Sequence, residues 1–291
     1  MQEPTVNVQH TSFPKSGSTW IRHIYAKIEN LQSGKELDPT LETGTELVDK
    51  DGTKLRLRFP HGHQYLKTCV TGELDLDYHA PNTHVILFRD PRDVVVSFWY
   101  YATYRQKTYS GTLSDFIRGN HDHVIPENFV AKVPVPDFFQ AYGLSAVINY
   151  MNAYVALLQT HKRSMDVYYE DFLGDTVDIV LKELEFLNVE VARDLLFRAV
   201  AESSFEVMKN AEASGQYQWE GLASSGLERS AKVRSGKAGG YRHEMSEADI
   251  AWCDERIEEQ LTDYFGRYKK AGSSPAGGFP ATPPAGLEPA T

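Results

Sequence analysis

The sequence predicts an α/β fold, with a central parallel β-sheet flanked by helices on both faces. Three observations lead there. Short apolar runs alternate with stretches of helical period along most of the chain. The first apolar run ends in a small polar loop containing glycine that opens directly onto a helical stretch. At 291 residues, 41% hydrophobic and 24% charged, the composition is that of a globular protein with one sizeable core.

Taken in order, TVNVQHTSF followed by STWIRHIYAKIENL is a first strand and helix, starting at Thr5. THVILF and then PRDVVVSFWYYATYRQ repeat the pattern, and Asp90-Pro91 suits a helix start, because Asp caps and Pro fits the first helical position. SMDVYYE leads into TVDIVLKELEFL as the third pair. Further helices are expected near Asp137 to His161, Val189 to Ala201 and Ser246 to Lys269. No internal repeat is present. From Gly272 to Thr291 the composition changes to GSSPAGGFPATPPAGLEPAT, so residues 1–271 are expected to form the domain and 272–291 a disordered tail.

Charge and cysteine content exclude several classes. The net charge of −10 speaks against a nucleic-acid-binding surface, while leaving room for a locally basic pocket. The two cysteines, Cys69 and Cys253, lie far apart in sequence and suggest neither a disulfide framework nor a four-cysteine zinc site. The chain does not open on a basic segment followed by an apolar run, and nowhere do about eighteen apolar residues follow one another. A cytoplasmic protein that does not enter membranes is the expectation.

The segment Phe13-Pro14-Lys15-Ser16-Gly17-Ser18-Thr19-Trp20 carries the chemistry. A strand that feeds a glycine turn and then a helix aims successive backbone N–H groups, and the positive end of the helix dipole, at one point where anions bind. Lys15 adds a cation, and Ser16, Ser18 and Thr19 add hydroxyl donors. A plain strand-to-helix turn with a solvated lysine is the competing reading. The kinase form of such a loop, G-x-x-x-x-G-K-[ST], places Lys directly after its second Gly. Here Lys15 precedes Gly17, which weakens a magnesium-dependent kinase.

TSFPKSGSTW closely resembles the 5′-phosphosulfate loop of the sulfotransferases that use 3′-phosphoadenosine 5′-phosphosulfate (PAPS). LFRDPRDVVVSFWY resembles the 3′-phosphate motif of the same family, with Arg89 at a strand end and Ser97 two helical turns later. The resemblance runs roughly from Thr5 to Lys269, is strongest at these two motifs, and implies a P-loop-like sulfotransferase fold with the donor at the C-terminal edge of the sheet. VYYEDF is similar to a strand end that places Tyr169 near the adenine ring. RSGKAGGYRHEMS is similar to a C-terminal segment folded over the 3′-phosphate, with Arg234, Ser235 and Gly236 in its first three positions. That family segment continues with Lys and Asp-Trp, where this chain has Ser235, Gly240 and Tyr241. Trp20 and Phe205 fit the pair that holds the adenine, and Ser203 stands where the family has Thr.

The resemblance implies transfer of a sulfuryl group from PAPS to a hydroxyl, or secondarily an amine, of a small-molecule acceptor such as an alcohol or phenol. The product would be adenosine 3′,5′-bisphosphate, with no metal required. Lys15 would meet charge developing on the leaving phosphate. The family's animal members carry their base in a Lys-Thr-His run; here that run reads Lys67-Thr68-Cys69. Upstream stands Phe59-Pro60-His61-Gly62-His63, and bacterial-type members place a His in such a run. His61, with His63 as alternate, is therefore the expected base, although two histidines spaced i, i+2 on a strand also suit a surface pair or half a metal site. Lys67 would assist near the sulfate oxygens. Phe98, Trp99, Tyr100, Tyr101 and Tyr104 could line an acceptor pocket, but at helical spacing they read mainly as core. Two rival functions remain: a nucleotide-binding protein without catalysis, which Cys69 keeps open, and a P-loop kinase of small metabolites. A monomer or a homodimer is compatible with the sequence.

Overall fold

A computed structural model of the protein describes residues 5–34, 45–62, 64–124, 142–215, 231, 234 and 236–269. Five strands form one sheet in the order β2-β3-β1-β4-β5. They are β1 (Thr5–Ser12), β2 (Thr45–Val48), β3 (Lys54–Arg58), β4 (Thr83–Phe88) and β5 (Ser164–Tyr168). β3, β1, β4 and β5 run parallel, and β2 pairs antiparallel to β3 at the edge. The expected parallel sheet is thus present, with an antiparallel edge strand and a β3 that the apolar pattern alone did not reveal. β2 and β3 are short and carry charges on their outer face, so their runs lack a strong apolar signal.

β4 shows why the sheet needs cover on both sides. All six residues of THVILF are buried. Ile86 and Phe88 point into one core and Val85 and Leu87 into the other, as the two-residue period of a strand requires. On one face lie α1 (Ser18–Ser33), α5 (Thr176–Phe186) and α6 (Arg193–Glu202), contributing Ile21, Ile24, Val180, Leu184 and Leu196. On the other lie α3 (Pro91–Tyr100), α4 (Leu144–Thr160) and α8 (Glu247–Gln260), contributing Val95, Tyr150 and Ile257 among others. Two further helices matter for the site, α2 (Tyr65–Thr71) and α7 (Phe205–Ala213).

Several boundaries differ from the sequence expectation, each for a local reason. The helix expected over PRDVVVSFWYYATYRQ is α-helical only to Tyr100 and continues as a π-helical turn, Tyr101–Gln106. The helix expected over Ser246–Lys269 stops at Gln260, is followed by a 3-10 turn at Asp263–Phe265, and resumes at Gly266–Lys269. The helix expected from Asp137 begins at Leu144, after Gly143 with φ 89°, and residues 137–141 lie outside the described residues. The helix expected from Val189 begins at Arg193. The segment 272–291, expected to be a tail, also lies outside them.

The chain order places the site. From β1 the chain runs out to β3, then crosses back over β1 to β4 on its other side. Loops that leave neighbouring strands in opposite directions open a crevice at the carboxyl ends of those strands. Because Ile86 is wholly buried between β1 and the α3–α4 layer, Ile86→Ala should lower stability by about 2–5 kcal/mol. Urea denaturation would measure the difference.

Candidate functional site

Four parallel strands end at the same edge, and each hands over one of the residues singled out in the sequence. Lys15 follows β1, His61 follows β3, Arg89 follows β4, and Tyr169 follows β5. All four line one cavity of about 570 Å³. Gly17, Ser18, Thr19, Trp20 and Ser97 line it too, as do Phe205, Arg234 and Gly236 from the chain's later part.

The first loop is shaped around its backbone. Lys15 has a left-handed φ of 74°, and the Ser16 N–H donates to the Phe13 carbonyl at 3.2 Å. Gly17, at φ 114°, stands at the N-cap of α1 and offers no side-chain cap, so the first amides of α1 face the cavity mouth. A Cβ on Gly17 would lie 2.6 Å from Cδ2 of Tyr169, so only glycine lets the loop close on that ring. Ser16, expected among the donors, is buried at 2% exposure and does not line the cavity. Its side chain turns into the protein because Lys15 takes up the sharp bend.

Arg89 joins three segments. Its Nη1 donates to the Lys15 carbonyl and its Nη2 to the Lys237 carbonyl, both at 3.1 Å. Its guanidinium stacks 4.3 Å above the Tyr169 ring, and Asp93 lies 3.9 Å away. Arg89 Nε is buried with no hydrogen-bond partner among the described residues. Asp93 in turn accepts from the Gly239 N–H at 2.7 Å and the Tyr241 N–H at 2.9 Å, which fixes the late segment across the cavity. Burial raises the pKa of this carboxyl, with Arg89 and the two amides opposing the shift. Arg234 lies over the Tyr100 ring at 4.1 Å and pairs with Glu244 at 2.9 Å. Gly236, at φ 60°, packs so closely on Phe205 that a Cβ would collide with its ring. Ser235 lies outside the described residues.

Trp20 and Phe205 line the same cavity. Trp20 is oriented by a bond from its Nε1 to the Ser203 carbonyl at 2.9 Å, and its ring meets Tyr169 edge-on at 6.0 Å. Ser203, expected at the ligand, is wholly buried; its Oγ lies 3.2 Å from His23 Nδ1, and its carbonyl serves Trp20. On the opposite wall His61 Nδ1 lies 3.0 Å from the Ser12 carbonyl. A carbonyl only accepts, so Nδ1 carries the hydrogen and Nε2 is the basic nitrogen of the neutral ring.

A family model described as the sulfotransferase domain matches residues 76–265, which include Arg89, Ser97, Tyr169, Phe205 and Arg234. The chain belongs to the sulfotransferase family. Among curated relatives it is 24% identical over 270 residues to sulfotransferase 2A6 of Rattus norvegicus, covering 87% of this chain and 84% of that one. It is 25% identical over 284 residues to luciferin sulfotransferase of Photinus pyralis, with 86% and 70% covered. Among solved structures, mouse sulfotransferase SULT7A1 complexed with PAP is similar at a TM-score of 0.57 and 17% identity, covering 89% of this chain and 85% of that one. Retinol dehydratase complexed with retinol and PAP is similar at a TM-score of 0.53 and 17% identity, with 90% and 83% covered. These structural likenesses bear on the fold.

Several expected residues of this sulfotransferase stand elsewhere. Cys69, in the Lys-Thr-His position, is buried in α2 and takes part in a hydrogen bond with Tyr65; burial pushes its thiol pKa up, so it is a neutral core residue. Lys67 is 56% exposed, 3.7 Å from Glu73, and does not line the cavity. Both follow from the short helix α2, which turns Cys69 inward and Lys67 to solvent. His61 sits in the loop after β3 rather than on a strand, and His63 lies outside the described residues. Among the described residues no group of three or more His, Cys, Asp or Glu is placed to hold a metal, and no helix is long and apolar enough to cross a membrane. Of the aromatic run, Phe98 is core, whereas Tyr101 lines the cavity.

Tyr101 is one of the residues the sequence reading did not single out for the donor side. The π-helical turn brings its ring 4.8 Å from Lys15 Nζ, and brings Arg105 of the same turn to 3.2 Å from buried Glu212. Nothing in the sequence marks a π-turn, so this arrangement had no signal. Asp93, three residues after the Asp90 cap, was readable only as a helix residue.

Burial is the main cause that lowers the Lys15 pKa to about 7, with Arg105, Arg89 and Arg234 adding repulsion and Glu212 opposing it. The folded protein thus releases this proton more readily than the unfolded chain, whose lysine titrates near 10.5. Between these values the unfolded state binds more protons, so the Lys15 contribution to stability grows as pH rises from about 7 to about 10.5 and is absent below 7. Relative to Lys15→Met, the wild-type ligand-free protein should therefore gain stability across that window. Denaturant melts of both proteins at pH 6.5, 8 and 9.5 would show the stability of the wild type minus that of the variant rising with pH.

Proposed function

We propose that this sulfotransferase transfers the sulfuryl group of PAPS to a hydroxyl of a small-molecule alcohol or phenol, leaving adenosine 3′,5′-bisphosphate. The observation that carries the reading is the convergence of the uncapped start of α1, Lys15, Arg89 and Arg234 with His61 in one cavity that, among the described residues, is lined by no Asp or Glu. In a chain of net charge −10 such a cavity fits a ligand that carries several negative groups.

The residues present fit that donor. Arg89, Ser97 and Arg234 all line the cavity, and the guanidinium groups suit phosphate oxygens as planar forks of donors. The N–H groups at the start of α1, with Ser18 and Thr19, suit the 5′ end. The Trp20 and Phe205 rings suit a base, since stacking needs faces rather than a particular edge pattern. Glycine at positions 17 and 236 lets the backbone close on the Tyr169 and Phe205 rings that line the cavity. PAPS supplies a sulfuryl group already attached to a phosphate leaving group.

In the reaction, His61 Nε2 accepts the proton of the acceptor hydroxyl while its Nδ1–H remains on the Ser12 carbonyl. The new O–S bond forms on that side and the S–O bond to the 5′-phosphate breaks on the other. Lys15 Nζ and the α1 amides meet the charge that appears on the departing phosphate oxygen. Tyr101 holds the Lys15 ammonium through its ring face. The retinol named with one structural relative and the luciferin of a curated relative are consistent with small hydroxylated acceptors.

At roughly 100 times its dissociation constant, adenosine 3′,5′-bisphosphate should stabilise the protein by roughly 2.7 kcal/mol in a thermal shift experiment. 5′-AMP should do much less, and Arg89→Ala should remove the difference. Stabilisation by Mg-ATP alone would overturn the proposed donor. In assays with PAPS and a panel of phenols and alcohols, His61→Ala should lower kcat by about 10²-fold or more while keeping the bisphosphate shift. Wild-type turnover in this variant would move the base elsewhere, and a parallel His63→Ala measurement would say whether that place is His63.

A further inference from the structure

Among the described residues, five lysine and arginine side chains line the cavity, and the donor proposed above uses three of them, Lys15, Arg89 and Arg234. The remaining two, Arg22 and Arg58, flank the loop that carries His61. Arg58 closes β3 three residues before His61. Its side chain is exposed, lines the cavity, and makes no ion pair among the described residues. Arg22, one turn into α1, is set against the same loop: its Nη2 donates to the Phe59 carbonyl at 3.2 Å, and its guanidinium lies 5.4 Å from the centroid of the Phe59 ring.

We propose that Arg58 and Arg22 form an anion-binding subsite for the acceptor, and that the sulfotransferase favours hydroxylated acids, bearing a carboxylate or a phosphate ester, over neutral alcohols and phenols. The inference rests on the donor reading above. Guanidinium groups present a planar fork of donors that matches such oxyanions, and they keep their charge at any working pH. Their position beside His61, across the cavity from Arg89 and Arg234, assigns them to the entering side. Phe59 and Tyr101 give the same space aromatic walls, which suits a phenolic acid.

The test uses the full chain saturated with adenosine 3′,5′-bisphosphate, so that the donor clamps are filled and any further anion reports on the second subsite. Titration calorimetry would compare para-hydroxybenzoate and para-hydroxyphenylpropionate, each with its methyl ester, and para-hydroxyphenyl phosphate as the phosphate arm. At least one acid should bind about tenfold or more tightly than its neutral counterpart, the worth of one charged hydrogen-bonded contact. Arg58→Gln should remove that preference, Arg58→Glu should reverse it, and Arg22→Gln should reduce it, with the bisphosphate affinity of the Arg58 variants unchanged. Equal affinity for acids and esters, including binding of neither, would overturn the proposal while leaving the donor reading intact. So would a preference that survives Arg58→Gln. Weaker bisphosphate binding by Arg58→Gln would move this arginine to the donor and also overturn it. Failure of the wild type to bind bisphosphate would remove the donor reading, and this inference with it.

Discussion

The Arg89 guanidinium is the contact on which the site depends. One planar group reaches the carbonyl of Lys15 in the first loop and the carbonyl of Lys237 near the end of the chain, lies on the Tyr169 ring after β5, and faces Asp93 in its own helix. Residues separated by about three quarters of the sequence therefore share one donor fork. Beside the Arg89 bond the late segment is held by the two backbone bonds to Asp93, by the Arg234–Glu244 pair and by the buried Tyr241 ring.

A cavity crowded with cations works against folding, and the surroundings of Lys15 show how the charge is managed. Burial and three arginines make the ammonium easy to deprotonate, while a ring face and the Glu212 carboxylate offset part of that effect. Pairing of Arg105 with Glu212 neutralises one neighbour, and pairing of Arg234 with Glu244 another. Such a site is arranged ahead of any anion, with the repulsion among its cations relieved once negative charge enters. Preorganisation of this kind is also why the first loop tolerates a non-glycine residue, Lys15, in the left-handed region.

Much of this was legible in the sequence because it is local. PKSGSTW states its own turn and helix start, so Lys15 and Gly17 could be named from the loop itself; THVILF followed by Asp90-Pro91 states a buried strand and a capped helix, while Arg89 and Ser97 were named from the resemblance of that segment to the family's 3′-phosphate motif. The cap is as expected: Asp90 accepts from the Arg92 N–H at 2.9 Å. The hydroxyls of Ser16 and Ser203 are buried, a distinction that sequence does not carry, because a hydroxyl in a phosphate-binding segment looks the same whether it faces a ligand or the interior. The Lys-Thr-Cys run was misleading in another way: the motif's position is kept, but α2 turns Cys69 into the core. What remained hidden is non-local or irregular. The antiparallel edge strand, the π-turn behind Tyr101 and the approach of Arg22 to Phe59 arise from packing between segments, for which one sequence has no periodic signature.

The bond between His61 and Ser12 has a geometric consequence. Ser12 is the last residue of β1, its N–H also approaches the Pro60 carbonyl at 3.4 Å, and Lys15 follows only three residues later on the same backbone. The imidazole and the ammonium are therefore not independent fixtures on separate loops; both are gauged from a single strand end. Motion of α1, α7 or the late segment can widen or narrow the donor side without changing that gauge. A change in the length of the turn between Ser12 and Lys15 would reset it, which makes this three-residue step a ruler between the two groups.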